Sequence, residues 1–381
     1  MLSAGEISGD FYGARLAAAL RILSPDLDLI GMGGGLMEKN GVKLIHNPLN
    51  HSVVGLVEAL KAYPVFRKVL KKLLRALAEE KPDVLVLIDF PGFNMRLGRL
   101  ANKLGVPVVY FISPSAWAWR EKRARRVASW AKAVAAIFPF EAEVYRKAGA
   151  NVTFVGHPLL DLVKPQRTKE EFCRTFGLDP RRLILGLLPG SRMGEVEILL
   201  PIMLEALGLL KKKISSLQAV LPVAPGFDPD VAHAVIDKYA CKVTVVENAS
   251  YDVMTAADFL IAASGTATLE AAILKAPMLI IYKVAPLTAI LARLLLRIPF
   301  IGLPNIIAGR MVVPEILQER AQAGEIAEKA YEFLSSPQKR EEQRKGLSEI
   351  LPSLGGPGAL KRTAELVLSA SAGTIPPGRR S

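Results

Sequence analysis

The fold of this chain is decided by residues 257–272, which read Ala257-Asp258-Phe259-Leu260-Ile261-Ala262-Ala263-Ser264-Gly265-Thr266-Ala267-Thr268-Leu269-Glu270-Ala271-Ala272. The apolar run Phe259–Ala263 has the length and composition of a buried parallel strand. Small and hydroxyl-bearing residues follow it, and a helical pattern comes next. The stretch therefore predicts a strand, a tight turn and a helix, which together form the repeating unit of α/β domains.

The turn in this stretch has features of an anion-binding site. Gly265 lets the backbone approach a ligand closely, and Ser264 and Thr266 supply hydroxyl groups. The N–H groups and the dipole at a helix N-terminus favour a phosphate. Glu270 lies about one turn inside the helix, where its carboxylate could accept hydrogen bonds from a ribose. An ordinary capped helix, in which Glu270 only complements the dipole, explains the same residues equally well.

Length and composition indicate two domains and an anionic partner. At 381 residues, the chain exceeds the size at which a single hydrophobic core usually stops growing. Apolar residues make up 51% of it, and the net charge of +13 favours nucleic acid, anionic lipid or a phosphorylated substrate. The two cysteines and four histidines are scattered, so neither a disulfide framework nor a metal site is expected. The first residues lack the pattern of a signal peptide, which predicts a cytoplasmic protein.

The chain opens on a glycine-containing turn, Ser3–Asp10, followed by a helical pattern. Such a turn is typical of the strand–loop–helix start of a Rossmann-like half. The residues before it, Met1–Leu2, are too few to fill a position in a sheet, so we expect either that the first strand is stunted or that the start codon has been placed late. Glu6 and Asp10 in this turn are secondary candidates for a catalytic base.

The clearest strand of the first half lies within residues 82–94. Asp89 comes at its carboxyl end, where open α/β sheets bind their ligands. Asp89 is therefore a candidate general base, and Asn94 is a candidate for orienting a substrate in the cleft. A role for Asp89 in capping the following helix fits its position equally well.

Residues 51–77 combine apolar and basic side chains at helical spacing. The pattern describes either a helix packed on the core or an interfacial helix on anionic lipid. Core packing is the commoner arrangement, whereas the apolar cluster before the helix favours the membrane. The predicted membrane or acyl-chain contacts are Val53, Val54, Leu56, Val57, Phe66 and Val69.

The second half repeats the α/β pattern and contains another phosphate-type turn. A strand at Leu183–Leu188 runs into Gly190, Ser191 and Arg192, and a helix follows. A glycine turn, a hydroxyl and an arginine at the start of a helix suit a diphosphate.

Two Rossmann-like halves joined by a proline-containing hinge predict an α/β protein of the GT-B architecture, with parallel sheets facing a central cleft. The expected division is an acceptor-binding domain at 1–158 completed by a C-terminal helix at 346–370, a UDP-sugar-binding domain at 159–345, and a disordered tail at 371–381.

Six segments occur in order along the chain: Ser3–Asp10, Ile88–Asn94, Ser113–Trp119, Leu188–Arg192, Ser264–Glu270 and Leu303–Gly309. Together they resemble the lipid-A-disaccharide synthase family of glycosyltransferases. The resemblance implies transfer of a sugar from UDP-2,3-diacylglucosamine to 2,3-diacylglucosamine 1-phosphate (lipid X). The implied products are UDP and the β-1′,6-linked lipid A disaccharide 1-phosphate, made at the cytoplasmic face of the inner membrane.

The resemblance also implies roles for individual residues. Inversion at the anomeric carbon needs a base on the acceptor, assigned to Asp89, and stabilisation of the departing diphosphate. The residues assigned to UDP and its diphosphate are Arg192, Ser191, Gly190, Ser264, Gly265, Thr266 and Glu270, with Glu270 on the ribose. The residues assigned to the donor sugar are Asn305, Glu315 and Gln318. No metal or cofactor is expected.

The expected partners are the two lipid substrates and an anionic membrane surface. No RNA-binding motif accompanies the aromatic and basic residues at 115–126, so nucleic acid is not expected. The resemblance is compatible with a homodimer that exchanges C-terminal segments. A UDP-sugar epimerase or another UDP-sugar-dependent GT-B enzyme would share the turns of the second half without needing the 51–77 segment. A non-enzymatic membrane-binding protein would leave Asp89, Arg192 and Glu270 without a role.

Overall fold

Parallel β-sheets organise both halves of the chain. A computed structural model describes residues 1–51, 63–114, 121–223, 227–283 and 299–373. The chain divides into two units: the first is Met1–Asp161 with Leu354–Ser381, and the second is Leu162–Ser353.

The sheet of the first unit has seven strands, each paired in parallel with its neighbours. They are β1 (Leu2–Ala4), β2 (Ile30–Met32), β3 (Lys43–His46), β4 (Leu85–Ile88), β5 (Val108–Phe111), β6 (Ala133–Ala136) and β7 (Val152–Phe154). Their order is β3-β2-β1-β4-β5-β6-β7. The strand order reverses between β1 and β4, and doubly wound sheets bind ligands at such a switch point.

Strand β1 occupies a central position although it has only three residues. Leu2 lies opposite Gly31 of β2 and Val86 of β4, and Ala4 lies opposite Ile88. The expectation that the first residues cannot fill a sheet position is therefore wrong. Pairing on both sides holds a strand that is too short to show a periodic pattern in the sequence.

Helices cover the first sheet and bury its apolar side chains. They are α1 (Ile7–Leu23), α2 (Gly35–Lys39), α3 (Tyr63–Glu80), α4 (Pro91–Lys103), α5 (Glu121–Ala128), α6 (Pro139–Lys147) and the short α7 (Leu159–Leu162), with a 3-10 turn at Pro48–His51. Leu73 of α3, Leu97 of α4 and Tyr145 of α6 are fully buried in one core with Tyr110 of β5.

The second unit repeats this design with six parallel strands. They are β8 (Ile184–Leu188), β9 (Gln218–Val223), β10 (Thr244–Glu247), β11 (Phe259–Ala263), β12 (Met278–Tyr282) and β13 (Glu315–Leu317). The order β10-β9-β8-β11-β12-β13 places the switch point between β8 and β11. Both strands are fully or almost fully buried, as the continuous apolar run Phe259–Ala263 predicts.

Eight helices of the second unit are described. They are α8 (Lys169–Phe176), α9 (Met193–Lys213), α10 (Pro229–Ile236), α11 (Ser250–Ala256), α12 (Thr266–Ile273), α13 (Leu303–Ala308), α14 (Ala323–Leu334) and α15 (Pro337–Ile350), with a 3-10 turn at Gln318–Arg320. They pack in two apolar clusters, one on each face of the sheet.

The chain then returns to the first unit through a 3-10 turn, Leu351–Leu354, and helix α16 (Ala359–Ser371). The helix predicted at 346–370 is thus two elements, because α15 ends at Ile350 within the second unit. Residues 374–381 of the predicted tail lie outside the described residues.

Candidate active site

The switch point of the first unit brings together the turns after β1 and β4. Ala4 and Ile88 are paired, so the chain leaves the sheet side by side at Gly5 and Asp89. Glu6 occupies the N-cap position of α1 and is partly exposed. Two of the predicted acidic groups, Glu6 and Asp89, therefore follow the carboxyl ends of adjacent central strands.

Asp89 lies on a turn with unusual backbone geometry. Asp89 and Phe90 both adopt left-handed conformations, with φ of 49° and 50°. Such conformations cost about 1–3 kcal/mol each for residues other than glycine and concentrate at functional sites. Two side chains hold the turn in place: the backbone carbonyl oxygen of Asp89 accepts hydrogen bonds from Asn94 Nδ2 (2.8 Å) and from the Tyr110 hydroxyl (3.1 Å).

The side chain of Asn94 is fully buried beneath this turn. Besides the Asp89 carbonyl, its amide nitrogen lies 3.1 Å from the carbonyl of Ser3 and 3.2 Å from that of Ile88. Its oxygen accepts a hydrogen bond from Ser3 Oγ (2.7 Å). These contacts turn both polar atoms of Asn94 toward the protein, so it joins β1 to the turn after β4 and does not present its amide to a cleft.

Asp10 is also occupied by protein groups. Its carboxylate accepts hydrogen bonds from the backbone N–H groups of Gly34 (2.7 Å), Met37 (3.0 Å) and Leu36 (3.1 Å). The side chain is buried and caps the start of α2. Asp10 thus holds the glycine-rich turn after β2.

Glu141 in the first turn of α6 is a buried acid that the sequence interpretation missed. Its Oε1 accepts a hydrogen bond from Ser113 Oγ (2.8 Å), and its Oε2 accepts one from Ile137 N–H (3.1 Å). Burial raises the pKa of this carboxyl to about 7, and the negative charge of Asp89 adds to the rise. An acid five residues after the end of the apolar strand β6 is the available signal, but the sequence does not show its burial.

The switch point of the second unit joins the two phosphate-type turns. Leu188 of β8 is paired with Ala262 of β11. Gly190 follows β8 with a φ of 112°, a conformation that favours glycine. Ser191 is exposed, and Arg192 occupies the N-cap position of α9, with its side chain about two-thirds exposed and Nη1 3.7 Å from Glu195 Oε1.

The turn after β11 presents an accessible helix start. Gly265 is the N-cap of α12, and both Gly265 and Thr266 are exposed. The hydroxyl of Ser264 is half-buried and donates to the carbonyl of Ile301 (3.1 Å). Thr268 Oγ1 donates to the Gly265 carbonyl (2.7 Å), which fixes the turn from inside the helix.

Glu270 lies one turn further along α12. It accepts a hydrogen bond from the Tyr251 hydroxyl (3.1 Å), and burial raises its pKa above the usual range. Its side chain is only partly exposed. Glu270 is thus a partly shielded acceptor close to the helix start where the sequence predicts a phosphate.

Buried Asn305 and partly buried Glu315 form a separate network. The Glu315 carboxylate accepts hydrogen bonds from Ile301 N–H (3.0 Å), Gly302 N–H (2.9 Å) and Asn305 Nδ2 (2.7 Å). Asn305 also donates to the Val313 carbonyl and accepts from its N–H. These groups anchor the start of α13 to β13. Gln318 follows β13 in a left-handed conformation, with a φ of 55°.

The predicted membrane residues divide in two. Val53, Val54, Leu56 and Val57 lie outside the described residues. Val69 is buried in the core of the first unit, so it does not face lipid. Phe66 is half-buried, with its ring 5.9 Å from that of Phe90 and 6.1 Å from that of Phe93.

Two further features are absent from the part of the chain that the structure describes. No helix there is long and apolar enough to span a membrane. Likewise, no group of three or more His, Cys, Asp or Glu side chains in the described part of the chain is arranged to hold a metal ion.

The amino-acid sequence of the chain matches a known family over almost the whole length of the chain. The family model described as "Lipid-A-disaccharide synthetase" matches residues 1–368. The chain belongs to the lipid-A-disaccharide synthase family. It is 43% identical over 369 residues to the lipid-A-disaccharide synthase of Trichlorobacter lovleyi, covering 97% of this chain and 96% of that protein. As a member of this family, it is a glycosyltransferase that forms the lipid A disaccharide.

Solved structures show that the synthase fold is shared more widely. The UDP-GlcNAc 2-epimerase from Neisseria meningitidis bound to UDP-GlcNAc aligns with a TM-score of 0.64 at 14% identity, covering 97% of this chain and 98% of that one. A glycosyltransferase from Rickettsia africae aligns with a TM-score of 0.56 at 15% identity, covering 97% of each chain. The prediction of two Rossmann-like domains of the GT-B class is confirmed.

Proposed function

We propose that this synthase transfers the diacylated glucosamine of UDP-2,3-diacylglucosamine to 2,3-diacylglucosamine 1-phosphate with inversion of configuration. The products are UDP and the β-1′,6-linked disaccharide 1-phosphate. The observation that carries the proposal is the location of Asp89, an acid held on two left-handed residues at the switch point of the first unit.

Asp89 is the general base of this reaction. Its carboxylate takes the proton of the acceptor's 6-hydroxyl as the hydroxyl oxygen attacks the anomeric carbon of the donor. The bond from that carbon to the diphosphate oxygen breaks, and the electron pair leaves with UDP. Attack opposite the leaving group inverts the anomeric centre. The strained turn supports this role because such conformations concentrate at functional sites, and Asn94 and Tyr110 hold the Asp89 carbonyl in place.

The second unit binds the UDP portion of the donor. The turns Gly190–Arg192 and Ser264–Thr266 lie at the start of two helices that flank one switch point, where N–H groups and helix dipoles favour phosphate. The Arg192 guanidinium is accessible and can stabilise the charge that develops on the leaving diphosphate. Glu270 accepts hydrogen bonds from the ribose.

An anionic membrane surface is the proposed partner of helix α3. Its apolar side chains Leu70, Leu73 and Leu77 are buried, whereas its basic side chains are exposed. The exposed basic residues are Arg67, Lys68, Lys71, Lys72 and Arg75. For the described part of the 51–77 segment, the helix is therefore packed on the core and still presents a basic face, which attracts anionic headgroups.

Purified variants with the two acylated substrates test the proposal. Asp89→Asn should lower turnover by about 10²- to 10⁴-fold, the usual contribution of a general base, while UDP affinity stays unchanged. Arg192→Ala should weaken UDP binding in calorimetry and slow transfer together, because its contact strengthens as the leaving group gains charge.

Arg174→Ala, which removes an exposed arginine elsewhere on the second unit, is the matched control and should change neither quantity. Wild-type turnover by Asp89→Asn would show that another residue is the general base. Mass spectrometry of the products identifies the reaction, because an epimerised UDP-sugar without a disaccharide would exclude the proposed transfer.

A further inference from the structure

Glu141 lies at the carboxyl edge of the sheet that carries Asp89, one strand beyond β5. Its side chain is 3% exposed, although a carboxylate is almost never buried without specific partners. The proposed transfer does not use it, and its two oxygens bind different parts of the chain.

The first contact ties down the loop after β5. Ser113 is buried and donates its hydroxyl to Glu141 Oε1 at 2.8 Å. The residue before it, Ile112, has a left-handed φ of 53°, and the Pro114 carbonyl accepts a hydrogen bond from the Tyr145 hydroxyl at 3.1 Å. Two side chains of α6, Glu141 and Tyr145, therefore hold a second strained turn at this edge.

The second contact ties down the end of β6. Ile137 N–H donates to Glu141 Oε2 at 3.1 Å, directly before the start of α6. One carboxylate thus links the loops after two adjacent strands. Replacing it with an apolar residue would leave buried donors on both loops without their acceptor.

These loops connect directly to Asp89. Ile88 of β4 is paired with Phe111 of β5, and Asp89 N–H donates to the Phe111 carbonyl at 3.3 Å. Tyr110, the preceding residue of β5, donates its hydroxyl to the Asp89 carbonyl. Phe111, which contacts Asp89, and Ser113, which contacts Glu141, are therefore only two residues apart in the chain. Burial is the main cause of the raised pKa of Glu141, and the negative charge of Asp89 adds to it.

We propose that Glu141 is a positioning residue for sugar transfer: it holds the turn after β5, and through that turn it sets the Asp89 carboxylate for the acceptor hydroxyl. This inference rests on the proposed role of Asp89. It assigns Glu141 no contact with either substrate.

The test compares Glu141→Gln and Ser113→Ala with Glu143→Gln, each in the wild-type and the Asp89→Asn background. Glu143 lies on the same helix but is exposed and paired with Lys147, so its variant matches the chemical change without the contact. Turnover, the KM of both substrates, UDP affinity and melting temperature are measured for every variant.

Glu141→Gln is expected to lower kcat by up to about 100-fold, because misplacing a catalytic group by about 1 Å has an effect of this size. The KM of the donor and the affinity for UDP should stay within about twofold, since both depend on the second unit. Ser113→Ala should lower kcat in the same direction, and Glu143→Gln should match the wild type. In the Asp89→Asn background, Glu141→Gln should reduce turnover by less than about twofold, because its effect passes through Asp89.

The outcomes separate two failures. If Asp89→Asn keeps wild-type turnover, the proposed base is wrong, and the positioning role falls with it. If Asp89→Asn loses turnover but Glu141→Gln keeps the wild-type kcat, or reduces it by the same factor in both backgrounds, only the positioning role is overturned. A lower melting temperature with an unchanged kcat for Glu141→Gln and Ser113→Ala assigns these residues to stability alone. If Glu141→Gln does not fold, Ser113→Ala decides the question in the same way.

Discussion

At the scale of single residues, the turn after β4 shows how close packing holds a strained backbone. Phe90 follows Asp89 in the left-handed region, and its ring lies against Gly5 on the neighbouring turn. A Cβ atom at position 5 would collide with that ring, so the glycine there is required by close approach. The strain is offset by contacts from β1, α4 and β5, which join the elements around the proposed base.

His157 predicts a pH dependence of stability. Burial lowers the pKa of this imidazole from 6.5 to about 3, while Nδ1 accepts a hydrogen bond from Leu159 N–H. Below pH 6.5 His157 becomes protonated in the unfolded chain but stays neutral in the folded chain. The contribution of His157 to the free energy of unfolding is therefore complete above pH 6.5 and is lost as the pH falls. At about 1.4 kcal/mol per pH unit, the stability lost by pH 3 amounts to at most about 5 kcal/mol.

The variant His157→Asn isolates this effect, because an Asn oxygen can accept from the N–H two residues on but does not titrate. The difference in unfolding free energy between wild type and variant should shrink steadily from pH 7 to pH 4. Urea denaturation followed by tryptophan fluorescence measures it, since the three tryptophans all belong to residues 1–161. Glu141 titrates in the opposite sense but is common to both proteins and cancels. A difference independent of pH would contradict a neutral buried His157.

Side-chain direction explains which site residues the sequence could not resolve. Asp89 was identified because its distance from an apolar run locates the carboxyl end of a strand. Asn94 and Asp10 lie at similar positions, but their polar atoms turn inward to backbone groups from other elements. Glu141 was missed for the same reason, because its burial depends on contacts with the loops after β5 and β6 that no local pattern encodes.

At the scale of elements, length decides how much of the fold the sequence predicts. The strand predicted at Phe259–Ala263 has the same bounds in the structure, and the strand predicted at Leu183–Leu188 begins one residue later, since five consecutive apolar residues give a readable signal. Strand β1 has three residues and gives none, although it pairs on both sides. Short central strands are specified by their neighbours more than by their own composition.

Helix α3 gives a prediction about the membrane. Replacing Lys68, Lys71 and Arg75 together with Gln removes three exposed charges from one face while the buried Leu73 side stays intact. Binding to vesicles containing phosphatidylglycerol should weaken by about 1 kcal/mol per residue at low salt, or about 100-fold in total. Sedimentation with vesicles measures this, and thermal melts should show a stable protein.

A matched variant controls for net charge in this experiment. Lys212, Lys238 and Lys345 are exposed on the second unit, and changing them to Gln removes the same charge from elsewhere. Salt should weaken the binding of the wild type more than that of the α3 variant, because exposed charges are screened. An equal loss of binding in both variants would indicate general electrostatic attraction and would exclude a specific role for α3.

At the scale of the whole molecule, the first six strands of both units follow the same order, and the two switch points carry different residue types. The first carries acidic groups after β1 and β4, and the second carries glycine turns before α9 and α12. The alternation of strands and helices predicts both sheets. It does not predict how the chain returns from the second unit to complete the first, because that depends on contacts between residues about 200 positions apart.

The return of the chain depends on two charged side chains of the first unit. The Asp161 carboxylate accepts hydrogen bonds from Gly358 N–H (2.7 Å) and Ala359 N–H (3.1 Å), which caps α16. Arg362 of that helix donates to the carbonyls of Val155 (2.8 Å), Gly356 (2.7 Å) and Pro357 (2.7 Å). Hydrogen bonds therefore hold helix α16 to the segment where the chain leaves the first unit, around Val155 and Asp161, and to the segment where the chain returns to that unit.

Asp161→Ala should therefore destabilise the first unit selectively. Loss of a helix cap costs about 0.5–2 kcal/mol, which corresponds to a fall of a few degrees in melting temperature for a domain of this size. Tryptophan fluorescence should report this fall, while calorimetry shows unchanged UDP affinity at 20 °C, because the proposed nucleotide turns belong to the second unit. Asp26→Ala, an exposed aspartate of the first unit, is the matched control and should leave the melt unchanged. Equal melts for both variants, or weaker UDP binding by Asp161→Ala alone, would show that the cap does not act on the first unit in this way.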